Sequence, residues 1–142
     1  MGTQQILLIV LSVIIVGIAV AVGITMFNQQ AKNQNRNSCI SDMNNFAAQT
    51  MAWFKTPQSH GGAGNSTDAL ILTLVNIGEW VGFSFDGTAT YSTDNGTYVS
   101  SLTGTTTITW QASGTEFGVD PRLVMTWADG SKVMTLDVDG TQ

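Results

Sequence analysis

Residues 6–27, ILLIVLSVIIVGIAVAVGITMF, constrain the fold of this chain more than any other part of the sequence. They include no charged residue, no side-chain amide and no proline. A helix of this length spans about 33 Å, close to the roughly 30 Å hydrocarbon thickness of a bilayer. A surface helix of a soluble domain has one apolar stripe, whereas this segment is apolar on every side. Because the rest of a 142-residue chain is too small to enclose it, we expect its neighbours to be lipid or copies of itself.

The segment differs from a cleavable secretory signal. No basic residue precedes it and no small-residue cleavage motif of the A-x-A type follows it, and its apolar run exceeds the usual ~7–15 residues. We therefore expect a retained membrane anchor. Its orientation stays open, since Lys32 and Arg36 favour a cytoplasmic location for the chain that follows, but a removed basic leader would outweigh two residues.

The chain after the apolar segment is acidic. The net charge of the sequence is -5, and from Asn37 onward ten acidic residues stand against three basic ones. Nucleic-acid binding depends on basic side chains that neutralise phosphates, so we expect no nucleic-acid partner. Such a charge suits an exposed, soluble surface. Cys39 is the only cysteine, which excludes a disulfide within the chain, and we expect it to be buried as a small apolar residue.

The helical pattern continues beyond the apolar segment. Residues 28–37, NQQAKNQNRN, contain neither glycine nor proline. After them, apolar residues recur at spacings of three and four, which predicts an amphipathic helix; they are Ile40, Met43, Ala47, Met51 and Phe54. The simplest interpretation is one helix over residues 3–54, with an apolar first half and an amphipathic second half over residues 28–55. Pro57 ends it, because the residue before a proline disfavours helical geometry.

A loop and then a series of strands are predicted after the helix. Residues 56–68, TPQSHGGAGNSTD, have loop composition, and we expect the single histidine, His60, to lie on the surface without a metal. Asp94-Asn95-Gly96 and residues 128–131 are hairpin-turn signals. The strands are predicted at residues 69–77, 80–86, 88–93, 97–102, 105–112, 123–127 and 132–138.

Helix followed by strands predicts an α+β fold in which a long N-terminal helix packs on an antiparallel β-sheet head, residues 69–142. Leu123, Met125 and Trp127 share one face of their strand, and Met134, Leu136 and Val138 share a face of the next. We expect these two rows to cover the apolar stripe of the helix.

Catalytic and cofactor motifs are missing from the sequence. One histidine and one cysteine give no nucleophile and base pair, and neither a G-x-S-x-G motif nor a Gly-rich phosphate loop is present. We expect no enzymatic activity, no cofactor and no metal. Two N-x-[ST] motifs make Asn65 and Asn95 possible glycosylation sites, although this motif is short and common.

The architecture resembles the type IV pilin family. The resemblance lies in residues 5–27 as an assembly segment, in residues 28–54 as the second half of the same helix, and in the loop and sheet that follow. It implies a subunit whose basic leader is removed by a prepilin peptidase. Such a subunit resides in the inner membrane and is then packed by the pilus assembly machinery, helices inward, into an extracellular filament of identical copies. We expect the leader to be already removed here.

The resemblance also implies which residues form the filament core. These are Met1, Gln5, Ile6, Leu7, Leu8, Ile9, Val10, Leu11, Ile14, Ile15, Gly17, Ile18, Val22, Gly23 and Phe27. Three features depart from the family pattern. Gln5 stands where most members have a glutamate that pairs with a neighbour's terminal amine, if Met1 is the mature start. Gly17 and Gly23, rather than a proline, interrupt the apolar run, and the frequent C-terminal disulfide is impossible. An archaeal pilin, with a β-sandwich head, is an alternative.

Other functions remain open at this stage. Gln5 is compatible with a minor pilin or a secretion pseudopilin, because some initiating subunits also lack the acid. A membrane-anchored extracytoplasmic binding module is a further alternative, with Trp80, Trp110 and Trp127 as a ligand-binding face. Core packing is the more common use of tryptophan, and we expect it for these three.

Overall fold

The computed structural model describes residues 2–66, 73–82, 90–104, 107–116, 118–127 and 134–141, with the backbone alone for residues 127 and 134–141. The chain divides into two compact units, Met1–Gln34 and Asn35–Gln142. The elements are α1 (Gly2–Lys55), a 3-10 turn (Gln58–His60), α2 (Leu74–Val81), β1 (Thr90–Thr93), β2 (Gly96–Thr103), β3 (Thr107–Gly114), β4 (Asp120–Trp127) and β5 (Met134–Thr141).

The single long helix predicted from the sequence is confirmed. Helix α1 ends at Lys55, one residue before the Thr56-Pro57 pair that was expected to stop it. The Thr56 hydroxyl donates to the carbonyl of Ala52 at 2.7 Å, which satisfies one of the helix's last acceptors. The chain then forms the predicted loop, with one 3-10 turn over Gln58–His60.

The strands predicted at residues 69–77 and 80–86 are wrong wherever the structure describes them. Residues 74–81 form α2 instead, while residues 69–72 and 83–86 lie outside the described part. Thr73 caps the helix, its hydroxyl accepting from the backbone N–H of Asn76 at 3.2 Å. Gly82 ends the helix with a left-handed φ of 84°. A short apolar run alone does not distinguish a strand from a buried helix. The two capping residues, Thr73 and Gly82, favour the helix.

The remaining predicted strands are confirmed, with small shifts of their ends. They form one five-stranded antiparallel sheet in the order β1-β2-β3-β4-β5. Thr93 pairs with Gly96 across the first hairpin. The turn itself therefore consists of Asp94 and Asn95, and Gly96 of the predicted turn signal is the first residue of β2. The turn predicted at residues 128–131 and the start of β3 predicted at residues 105–106 lie outside the described residues. The α+β architecture is consistent with a pilin-like fold.

The core of the second unit lies between the amphipathic part of α1 and one face of the sheet. Alternate residues of the central strands are buried there, as expected for a sheet with one covered face; they are Tyr98, Ser100, Ile108, Trp110, Ala112, Leu123 and Met125. The buried residues of α1 are Cys39, Met43, Phe46, Ala47, Thr50, Trp53 and Phe54. The ring centroid of Phe46 lies 5.1 to 5.7 Å from the ring centroids of Tyr91, Tyr98 and Trp110.

The prediction that strand side chains cover the apolar stripe of α1 is confirmed for the residues whose side chains the structure describes. Leu123 and Met125 are fully buried in this core, and Ile40 and Met51 at the edges of the predicted stripe are partly buried. Cys39 is buried and free, as expected. The side chains of Trp127, Met134, Leu136 and Val138 lie outside the described part.

Candidate functional site: an exposed apolar helix

The most unusual surface of this chain is the first part of α1. Each of residues 2–30 is exposed. Among the large apolar side chains of residues 6–27, the exposed fraction runs from 48% at Val22 to 71% at Leu7 and Phe27. Covering such a side chain stabilises it by about 1.5–3 kcal/mol. The free energy available from covering the whole segment therefore exceeds the usual stability of a domain, and water is not its stable environment.

The predicted filament-core residues that the structure describes belong to this surface. Gln5 and the residues from Ile6 to Phe27 in that prediction are exposed, and because the run is consecutive they occupy every side of the helix. Met1 lies outside the described residues. The helix is long and apolar enough to cross a membrane, which suits it to membrane anchoring.

The polar side chains inside the apolar segment are satisfied within the helix. The Ser12 hydroxyl donates to the carbonyl of Ile9 at 2.8 Å, and the Thr25 hydroxyl donates to that of Ala21 at 2.9 Å. Neither requires a polar partner from outside. The surface that the segment offers to a neighbour is therefore apolar throughout its length.

The two glycines of the segment have no structural task inside the subunit. A methyl group added at Gly17 or Gly23 would meet nothing within 4 Å. Glycine nevertheless lowers helix stability by roughly 1 kcal/mol relative to alanine. Small residues allow close approach between helices in apolar surroundings, so these positions suit contacts with other molecules.

A polar cluster fastens the amphipathic part of α1 to the turns of the sheet. The Asp42 carboxylate accepts from the Tyr98 hydroxyl at 2.7 Å and from the Asn95 side-chain amide at 2.8 Å. About two turns earlier in α1, the Asn35 amide donates to the Asn95 carbonyl at 2.8 Å and to the Thr115 hydroxyl at 3.0 Å. Hydrogen bonds to a charged group contribute about 1.5–3 kcal/mol each, so this cluster fixes the helix on the sheet.

The two possible glycosylation sites differ in environment. Asn65 is exposed in the loop and has a left-handed φ of 58°. Asn95 is partly buried, and its side-chain amide is bound to Asp42. A glycan on Asn95 would occupy the side that faces Asp42 and would disturb the cluster, so Asn95 has a structural role.

The cluster also changes the acidity of two buried groups. Burial, and then the hydrogen bond to Asp42, raise the pKa of Tyr98 far above its usual value of 10.0. Burial raises the pKa of the Cys39 thiol above its usual value of 9.0, and its Sγ donates to the Asn95 carbonyl at 3.5 Å. A buried thiol that stays protonated is a poor nucleophile.

The protein is expected to lose stability at alkaline pH. Both raised groups stay protonated in the fold but ionise in the unfolded chain, so the unfolded state binds fewer protons at high pH. The contribution of these two groups to the free energy of unfolding is therefore fully present below about pH 9. It decreases as pH rises through 9 to 10 and above. Urea unfolding of the full chain at several pH values, in detergent, measures this dependence.

Tyr98→Phe tests the same cluster. It is expected to reduce stability at neutral pH by about 1.5–3 kcal/mol, because Asp42 loses a donor, and to flatten the alkaline decline. Tyr91→Phe, in the same core, is the matched control and should keep the decline, since Tyr98 and Cys39 remain. An unchanged alkaline profile in Tyr98→Phe would contradict the assignment.

The predicted tryptophan face does not form as one surface. Trp110 is fully buried, which confirms its prediction as a core residue, whereas Trp80 on α2 is 43% exposed. The Trp127 side chain lies outside the described part. His60 is exposed as predicted, and its Nδ1 lies 3.0 Å from the Ser59 hydroxyl. Within the described ranges, no group of three or more His, Cys, Asp or Glu residues comes together as a metal site.

Comparisons of the chain with protein-family models, with curated proteins and with solved structures found no match.

Removing the apolar segment is expected to leave a soluble monomer. The core of the second unit consists of residues from Cys39 onward, so residues 28–142 retain all of it. Analytical ultracentrifugation should show a single species of monomer mass for this fragment, while the full chain in the same detergent-free buffer should sediment as large assemblies. A stable oligomer of the fragment would mean that the second unit carries a strong self-association surface of its own.

Proposed function

We propose that this chain is the structural subunit of an extracellular filament of the type IV pilus kind, assembled through the first part of α1. The observation that carries the proposal is the all-round exposure of residues 2–30 beside a second unit whose core is complete without them. In a membrane, lipid would cover the apolar part of this surface. In a helical polymer of identical copies, the same helices would cover one another after leaving the membrane.

The physical requirements of assembly match the segment. Lipid tails and neighbouring helices are equally apolar, so moving a helix from membrane to filament gains little from the hydrophobic effect. The gain must come from close packing between helices. Gly17 and Ala21 lie on one side of the helix and Ala19 and Gly23 on the opposite side, so each side has a place without bulky side chains. The partners in this proposal are further copies of the chain, the inner membrane before assembly, a prepilin peptidase and the assembly machinery.

The proposal is tested by finding the chain in the cell. Filaments sheared from the cell surface are separated from membranes, and their subunits are identified by mass spectrometry and by immunogold labelling against the second unit. We expect this chain to be the dominant protein and to be labelled along the whole filament. Label at filament tips alone would indicate a minor pilin, a function with which Gln5 is compatible. Retention of the chain in the membrane fraction, with no filament, would contradict the proposal.

The contact that Gln5 makes in the filament is expected to depend little on salt concentration and on acid pH. Gln5 is neutral, so its contact lacks an ion pair that salt would screen or acid would titrate. Pelleting of preassembled filaments over a range of salt and pH measures this. Gln5→Glu is the matched variant, and its filaments should become sensitive to acid in the carboxylate range. If wild-type filaments come apart over that range, the acidic residues of the second unit hold them together.

A further inference from the structure

A pocket in the second unit lies between α2 and the loop that follows α1. Its volume is about 270 Å³, and it is lined by Trp53, Gly61, Gly62, Asn76, Glu79 and Trp80. Drug-sized ligands occupy pockets of roughly 300–1,000 Å³, so this one suits a smaller molecule. None of these lining residues belongs to the apolar segment, and the filament proposal does not use them.

The loop that forms one wall is held in place by many hydrogen bonds. The Trp53 indole N–H donates to the Gly61 carbonyl at 3.1 Å. The backbone N–H of Ala63 donates to Trp53 at 3.1 Å, and that of Gly64 donates to Thr56 at 2.8 Å. A wall fixed in this way binds a ligand without an ordering cost.

Glycine allows the close backbone packing of this wall. Gly61 has a φ of 83°, and an added methyl group would lie 3.7 Å from the Trp80 ring. At Gly62 an added methyl group would overlap the Thr56 carbonyl. The loop backbone therefore approaches its neighbours more closely than a chain with side chains at these positions.

The opposite wall presents an aromatic ring beside polar groups. Trp80 is 43% exposed, in contrast to Trp53 at 1% and Trp110 at 0%. Ile77, on the buried side of α2, holds the helix on the core. Glu79 is exposed next to Trp80, and Asn76 lies one helical turn earlier.

We propose that this pocket binds one unit of a neutral saccharide. The apolar C–H face of a sugar ring packs on an exposed indole. Its hydroxyl groups donate to a carboxylate and exchange hydrogen bonds with an amide, which both donates and accepts. A quaternary ammonium group also binds an indole near a carboxylate, but it has no use for the amide of Asn76.

The test uses the full chain in a polyoxyethylene detergent, because glycoside detergents would compete for the site. The probes are the methyl glycosides of glucose, galactose, mannose and N-acetylglucosamine, with tetramethylammonium as the cationic probe. Saturation-transfer NMR and titration of the indole N–H signals give the affinities. We expect at least one glycoside to bind with a dissociation constant in the millimolar range, and Trp80→Ala to weaken it by about tenfold or more.

Matched variants keep the test decisive. Val75→Ala, on the exposed side of the same helix, should bind like the wild type. Trp80→Phe retains an aromatic ring and should bind with intermediate affinity, which distinguishes loss of the ring from loss of the fold. Glu79→Gln should weaken the glycoside severalfold. Three results would each overturn the proposal: no glycoside binding, affinity that is unchanged in Trp80→Ala, or tighter binding of tetramethylammonium with a greater loss in Glu79→Gln.

Discussion

Ile14→Asp is expected to abolish filament assembly while the second unit stays folded. Ile14 lies near the middle of the apolar segment and is 53% exposed in the isolated subunit. In the proposed filament the same position would be surrounded by apolar helices. A charged aspartate at the centre of an apolar environment costs about 2.5–3.5 kcal/mol on the insertion scale. That corresponds to a rise of roughly 70- to 400-fold in the concentration needed for assembly.

Detergent removal at increasing protein concentrations, followed by pelleting and electron microscopy, measures this concentration. Asn33→Asp is the matched control, because it adds the same charge at an exposed position in the polar part of α1. It should assemble like the wild type. Tryptophan fluorescence reports whether the second unit is folded in both variants. Assembly of Ile14→Asp at the wild-type concentration would show that the apolar segment is not the contact.

Trp110→Ala is expected to have the largest effect on stability. Trp110 is fully buried, its ring centroid lies 5.6 Å from that of Phe46, and it pairs with Leu123 across the sheet. Truncating a buried tryptophan costs about 3–5 kcal/mol. Since domains of this size have a free energy of unfolding of about 5–15 kcal/mol, the variant loses much of its stability.

Urea unfolding of the full chain in detergent measures this loss. Trp80→Ala is the matched control, because the same side chain is removed from a half-exposed position, and it should cost about 1 kcal/mol. If both variants were destabilised equally, α2 would contribute as much to the core as β3.

The long helix and the meander of strands could be predicted because their signals are local. The apolar segment, the amphipathic stripe and Pro57 define α1, and Asp94-Asn95-Gly96 defines the first hairpin. Helix α2 was missed because residues 69–77 form a near-continuous apolar run and residues 80–86 alternate, and both patterns favour strands. Thr73 and Gly82 carried the cap signals that would have distinguished it from a strand.

The buried face of α1 shows where sequence patterns are insufficient. The predicted stripe included Met51, which is only partly buried, and it omitted Phe46, Thr50 and Trp53, which the structure buries. Thr50 is polar, and its hydroxyl is satisfied by donating to the Phe46 carbonyl at 2.8 Å. A pattern of apolar residues alone omits such a position, although burial is possible once the polar group is bonded.

The polar cluster around Asp42 had no signal in the sequence. Asp42 and its partners Asn95 and Tyr98 are more than fifty residues apart in the chain. Asn95 instead matched a glycosylation motif and a turn signal. Only the tertiary fold brings these groups together, so the pairing cannot be read from local spacing. The pocket beside Trp80 was missed for the same reason, since its walls come from α2 and a separate loop.

The most direct test of filament assembly is a helical reconstruction of the polymer by cryo-electron microscopy at side-chain resolution. We predict a core in which residues 6–27 of every subunit are helical and pack against the same residues of neighbouring copies, with the second unit outside. Close contacts should occur at Gly17 and Gly23. A polymer held together by the second units, with residues 6–27 outside its core, would contradict the account, as would a preparation in which the chain forms no polymer.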